Sequence, residues 1–197
     1  MSTTILMLAA ALTFSPSTET TTHADLNGDG VDDLVTVENV GTHEQQLVVT
    51  IDGEEFRADA PADAPGLVRP PRVVDLNGDG QDELAVREMF DNDTHVFGVW
   101  HYFEGSLTTM GTPDGHQLRL YEGGDDMSRY GYGCAESDGE RQLITMNATE
   151  DDAGTWSGSQ DYYTVTDGIA TTTGGTIRFR ALPFVGESLI PDADTCA

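Results

Sequence analysis

Residues 25–33 read DLNGDGVDD and residues 75–83 read DLNGDGQDE, one oxygen-rich pattern written twice at an offset of fifty. Asp25, Asn27 and Asp29 stand at alternate positions, Gly30 follows where the chain can turn sharply without a Cβ clash, and Asp33 occupies the ninth position. Asp75, Asn77, Asp79, Gly80 and Glu83 repeat the arrangement. Carboxylate and amide oxygens at this spacing are hard ligands that suit Ca²⁺ far better than Zn²⁺, and the expectation is about two Ca²⁺ per chain, one per loop. Asn-Gly and Asp-Gly are also strong hairpin signals, so an acidic turn that binds nothing is the competing reading. Duplication weighs against it, because a turn needs a glycine but not three oxygen donors in register.

Each loop runs into a short β-branched segment, LVTV or LAV, that reads as a strand. An EF-hand loop requires a bidentate Glu at its twelfth position and helices on both sides, whereas Thr36 and Val86 stand there. The EF-hand and dockerin readings fail on this point. Over DLNGDGVDDLVTV and VVDLNGDGQDELAV the chain resembles the calcium loop of the FG-GAP/VCBS repeat family, which includes the integrin α-chain propeller. That resemblance implies side-chain ligation by Asp25, Asn27, Asp29 and Asp33 with the Val31 carbonyl between them, and by Asp75, Asn77, Asp79 and Glu83 with the Gln81 carbonyl. It also implies a non-catalytic calcium-binding module that adheres to a protein or a glycan. The alternative is an extracellular enzyme, or an accessory subunit of one, acting on polysaccharide.

The positioning elements form a repeating unit. After each loop come a strand, a polar segment and a longer strand ending in an acidic-Gly turn, LVVTIDGEEF in the first unit and VFGVWHYFEGSLTT in the second. CAESDGERQLITM aligns with the second loop and sets Asp138-Gly139 on Asp79-Gly80, while YYTVTDGIATT supplies a later turn at Asp167-Gly168. In this third unit Cys134, Glu136 and Gln142 replace ligands, so no metal is expected there. The chain thus divides into a signal-peptide-like segment and linker (1–22) and three repeats (about 23–70, 71–125 and 126–197). The expected fold is all-β, with three propeller-blade-like antiparallel sheets in an open or incomplete propeller, since a closed propeller takes about four to eight blades. Alternation places Val96, Trp100 and Tyr102 on one face of a strand and Phe97, Val99 and Phe103 on the other, so that strand is expected to be covered on both sides. Leu47, Val49 and Ile51 oppose Gln46, Thr50 and Asp52, as in a terminal sheet that faces water. A short stack with capped ends follows, or else a fragment completed by another chain.

Thirty-five acidic residues against nine arginines and no lysine give a net charge of −26, of which the two loops hold only eight acids. Nucleic acid and anionic membrane surfaces are excluded as partners by the lack of clustered cations. The apolar run Ile5–Phe14 is too short to span a bilayer and has the length of a signal-peptide core, although no Lys or Arg precedes it. Secretion is expected, and with it a disulfide between the only two cysteines, Cys134 and Cys196.

Catalysis is not indicated. No GxSxG, HExxH or P-loop is present, and His95 and His101, though on one strand face, would lie about 20 Å apart. Trp100, Tyr102, Tyr130, Tyr132, Trp156, Tyr162 and Tyr163 either fill the space between sheets or stack on sugars, and packing is the favoured reading. SRYGYGC, next to YEGGDDM, reads as a loop and is the one candidate ligand surface.

Overall fold

The computed structural model describes residues 19–63 and 68–197. The signal-like run Ile5–Phe14 lies outside them. The described chain is all-β apart from two short 3₁₀ turns, and no helix in it is long and apolar enough to cross a membrane.

Strands β1 (Glu19–Ala24), β2 (Asp33–Asn39), β3 (Glu44–Ile51) and β4 (Glu54–Pro61) form a four-stranded antiparallel sheet in chain order. The threonine-rich stretch read as a linker therefore supplies an edge strand through Glu19–Thr22, pairing Thr20 with Val37 and Thr22 with Val35. Threonine is β-branched and tolerates a half-exposed edge, a preference that a reading of polarity alone overlooks.

The second sheet begins with β5 (Arg72–Val74), β6 (Glu83–Asp91) and β7 (Thr94–Phe103). The far edge of β7 is shared: β8 (Ser106–Thr109) pairs with Trp100–Phe103, and β9 (Arg119–Gly123) pairs with Thr94–Gly98. From β9 the sheet continues through β10 (Ser128–Ser137), β11 (Glu140–Glu150), β12 (Trp156–Thr166) and β13 (Ile169–Leu182), and neither sheet closes on itself. Only one Cα pair, Tyr130 with Gly123, joins β10 to β9.

The hairpins form where the sequence offers residues that tolerate positive φ. Asp52-Gly53, Glu104-Gly105, Asp138-Gly139 and Asp167-Gly168 each place an acidic residue near φ +50° before a glycine near φ +80°. These are the paired left-handed residues of two-residue turns, whose twist matches that of the strands.

Two cores lie on opposite faces of the β6–β7 hairpin. Ala85, Phe97 and Val99 pack with Leu143, Val165 and Ala170, whereas Leu84, Val86 and Trp100 pack with Val35, Leu47 and Val49. Both faces of these strands are thus apolar because both are covered, as the alternation predicts. Phe103 departs from it, being 40% exposed at the strand end. Leu84→Ala, at a side chain with no exposure, would cost about 2–5 kcal/mol.

SRYGYGC is not a loop: it forms most of β10, fully paired with β11. Its glycines answer to the C-terminal segment, which passes so close that a Cβ on Gly131 would sit 2.7 Å from Ile190 and one on Gly133 would sit 2.6 Å from the Asp192 carbonyl. Glycine inside a strand often marks such a close approach. Cys134 and Cys196, with Cα atoms 4.9 Å apart, lock the segment down as the disulfide expected from the cysteine count.

Candidate functional site

The two acidic loops connect the first and second strands of their respective sheets, β1 to β2 and β5 to β6. Most of their hydrogen bonds recur in both loops, with one addition in the first, where Asp29 N also donates to Asp25 Oδ1 at 3.1 Å. Asp25 Oδ1 accepts from Gly28 N at 2.9 Å and its Oδ2 from Gly30 N at 2.7 Å, while Asn27 Oδ1 accepts from Asp29 N and Asp29 Oδ1 from Val31 N. In the second loop Asp75 accepts from Gly78 N at 2.6 Å and Gly80 N at 3.2 Å, Asn77 from Asp79 N, and Asp79 from Gln81 N. Gly28 and Gly78 share φ near +74°, and Gly30 and Gly80 share φ near +81°. The glycines are required here because the chain bends back over its own carboxylates.

The ninth positions lie deepest. Asp33 and Glu83, 7% and 3% exposed, accept from the amides of Leu26 and Leu76 at 3.1 and 2.8 Å. Leu26 and Leu76 are themselves wholly buried, so each loop is anchored by one apolar side chain and one inward carboxylate. Burial pushes Glu83 up to about 8, with Asp79, Asp75 and Asp82 adding repulsion. Asp33 is raised for the same reasons, burial first and then Asp29 and Asp25.

The loops are also laced together. Asp82 N donates to the Asp25 carbonyl at 2.8 Å and Asp25 N donates to Asp82 Oδ2 at 2.8 Å. Gln81 Nε2 bridges the carbonyls of Leu26 and Tyr102. Burial, with Asp25 and Asp75 nearby, raises the Asp82 carboxyl. Gln81 is expected only for its carbonyl, yet its side chain is what ties the loops. Asp32 stands at the same eighth position of the first loop, but of the two it is Asp82 that makes the tie between the loops.

The donor chemistry fits a hard divalent cation, and each carboxylate has four acceptor positions, more than the loop amides consume. A preformed cage is not present: among the described residues no group of three or more His, Cys, Asp or Glu side chains converges to hold a metal. Asn27 Nδ2 and Asn77 Nδ2 turn toward Asp29 Oδ2 and Asp79 Oδ2 at 3.2 and 2.7 Å. What the loops hold is clustered, partly desolvated negative charge on a backbone bent to collect oxygens.

Between β10 and β11, where the sequence suggested a third loop, Asp138-Gly139 is a two-residue hairpin with Ser137 opposite Glu140. Glu136 is exposed and Cys134 is in the disulfide, so nothing there gathers oxygens. Arg141, which aligns with Asp82, reaches back to Asp75 Oδ2 at 3.9 Å and donates to the Thr195 carbonyl at 2.7 Å.

The aromatic residues divide. Trp100, Tyr132 and Trp156 are buried, and Tyr102 packs edge-on against Phe56 with centroids 5.0 Å apart. Tyr130 instead lines a groove of about 660 Å³ that shares no lining residue with either acidic loop. His101 stacks on Phe103, and its burial holds the imidazole below its ordinary pKa.

No family model, no curated protein and no solved structure matches the chain.

Proposed function

We propose that the chain is an exported, non-catalytic recognition module whose loops 25–33 and 75–83 each take up one Ca²⁺. The observation that carries this reading is the shared acceptor pattern of the two loops, in which the first-position Asp takes the amides of both glycines, together with the matching φ of those glycines. A surface turn has no reason to keep the same principal acceptors twice, and a buried Glu83 surrounded by Asp75, Asp79 and Asp82 carries a desolvation cost that a divalent cation would offset. Asp25, Asn27, Asp29 and Asp33 would hold one ion with the Val31 carbonyl, and Asp75, Asn77, Asp79 and Glu83 the other with the Gln81 carbonyl. The strand–loop–strand units are read as blade-like FG-GAP/VCBS repeats that stack without closing. The disulfide is compatible with an oxidising compartment.

Calorimetric titration with CaCl₂ is expected to give about two ions per chain, with a higher melting temperature in millimolar Ca²⁺ than in EDTA. No binding heat and an unchanged melting temperature would overturn the reading.

A further inference from the structure

We infer that the groove opening between β9 and β10 binds a neutral saccharide chain. This rests on the reading of the chain as a recognition module but not on the calcium loops.

The groove exists because β9 and β10 meet at Tyr130–Gly123 alone and splay apart beyond that point. Its volume, about 660 Å³, is that of an ordinary small-ligand site. In a chain with 35 acidic residues, none of the twelve residues lining it is Asp or Glu. The bareness is local and therefore informative.

The polar groups facing the groove are fixed from behind. Glu88, at the β-bulge of β6 and 4% exposed, accepts from Gln117 Nε2 at 2.9 Å and lies 3.4 Å from Arg119 Nε, close enough for ion pairing though not a well-formed hydrogen bond. It reaches them across Gly98, where any Cβ would collide with the carboxylate. A buried carboxylate thus orients one amide and one guanidinium toward the groove and cancels the guanidinium's charge. The lining is left neutral but rich in planar donors and acceptors, with Asn147 and Thr145 on the opposite wall.

Tyr121, 41% exposed, and Tyr130 present their rings beside these groups, with centroids 5.8 Å apart and planes tilted by 41°. The aliphatic liners Leu118 and Met146 are buried in the walls. Ring faces next to fixed amide and guanidinium groups match a pyranose, which has an apolar C–H face and a rim of hydroxyls that both donate and accept. Neutrality follows from the Glu88–Arg119 pairing and from the −26 field, which opposes anions.

The test is calorimetric titration of the whole chain with cello-, malto-, xylo- and chitohexaose, with oligogalacturonate as the charged arm, each run in Ca²⁺ and in EDTA well below the melting temperature. At least one neutral series is expected to bind saturably in both buffers. Tyr121→Ala, at a surface position, should weaken that binding about tenfold while Tyr121→Phe keeps it within about threefold. Unchanged melting of both variants establishes that they fold. No heat from any neutral series, binding of oligogalacturonate alone, or wild-type affinity in Tyr121→Ala overturns the inference. Sugar binding without calcium heat would defeat the calcium reading and leave this one standing.

Discussion

The connection between first and second strands is built in two ways in this molecule. Between β1 and β2 and between β5 and β6 it is a loop of acids bent over its own amides, and between β10 and β11 it is the tight turn Asp138-Gly139 with a disulfide four residues upstream, at Cys134. The contrast shows that the strand order does not need the acidic loop. A two-residue hairpin makes the same reversal with far less buried charge. The loops are therefore costly features in the positions where they occur, and that cost is what makes them candidates for function rather than connection.

The sharpest way to break the comparison is to remove divalent ions. On the proposed reading each loop gains about 2.7 kcal/mol at a hundredfold excess of Ca²⁺ over its Kd, so EDTA should cost roughly 5 kcal/mol in urea unfolding. Equal stability with and without EDTA would put the loops and the hairpin on the same footing. Next comes the disulfide, whose removal by the double substitution Cys134→Ser and Cys196→Ser should cost about 4 kcal/mol by loop entropy. Hydrogen exchange should rise mainly along β10 and residues 190–197, where EDTA acts mainly at 25–33 and 75–83. A uniform rise in both treatments would show that the regions are not separable.

Asp29→Ala and Asp79→Ala should each remove one ion from the calorimetric count, whereas Asp138→Ala leaves the count intact and costs about 1 kcal/mol for an alanine at φ +54°. A lower count in Asp138→Ala would mean that the β10–β11 turn does bind.

The comparison extends to pH, where Glu83 and His101 should slope in opposite directions. Glu83 titrates near 8 when folded and near 4.5 when unfolded, so its contribution is full below 4.5 and is lost as pH rises toward 8. In EDTA the second loop should loosen over that window, and Ca²⁺ should abolish the slope. His101, held below 6.5 by burial against Gly168, contributes fully above 6.5 and loses that contribution as the pH falls through its folded value. Amide exchange near residues 101 and 168 should therefore accelerate in acid, and Glu83→Gln should leave that acceleration unchanged. Parallel slopes at the two places would contradict these assignments.

Much of the fold was legible because its signals are local. Asp52-Gly53, Glu104-Gly105 and Asp167-Gly168 each end a strand where the sequence says they should, and VFGVWHYF announces burial on both faces. The acidic loops were legible as oxygen donors for the same reason. What escaped depends on partners distant in sequence: Gly131 and Gly133 read as loop residues because their requirement comes from Ile190 and Asp192, and Thr20 read as linker because its partner is Val37. Glu88 is buried only because Gly98, Gln117 and Arg119, all distant in sequence, close over it. Side chains that act across a sheet leave no spacing signature along the chain.

The bond between Cys134 and Cys196, 62 positions apart, also turns everything between them into a covalent ring that contains the end of β10, all of β11–β13 and the tail up to Cys196. A protease that cuts once at an exposed turn inside it, such as Asp151–Gly154, opens the ring without releasing a fragment. On a non-reducing gel the nicked molecule keeps its full mass, and it separates into two pieces only after thiol is added.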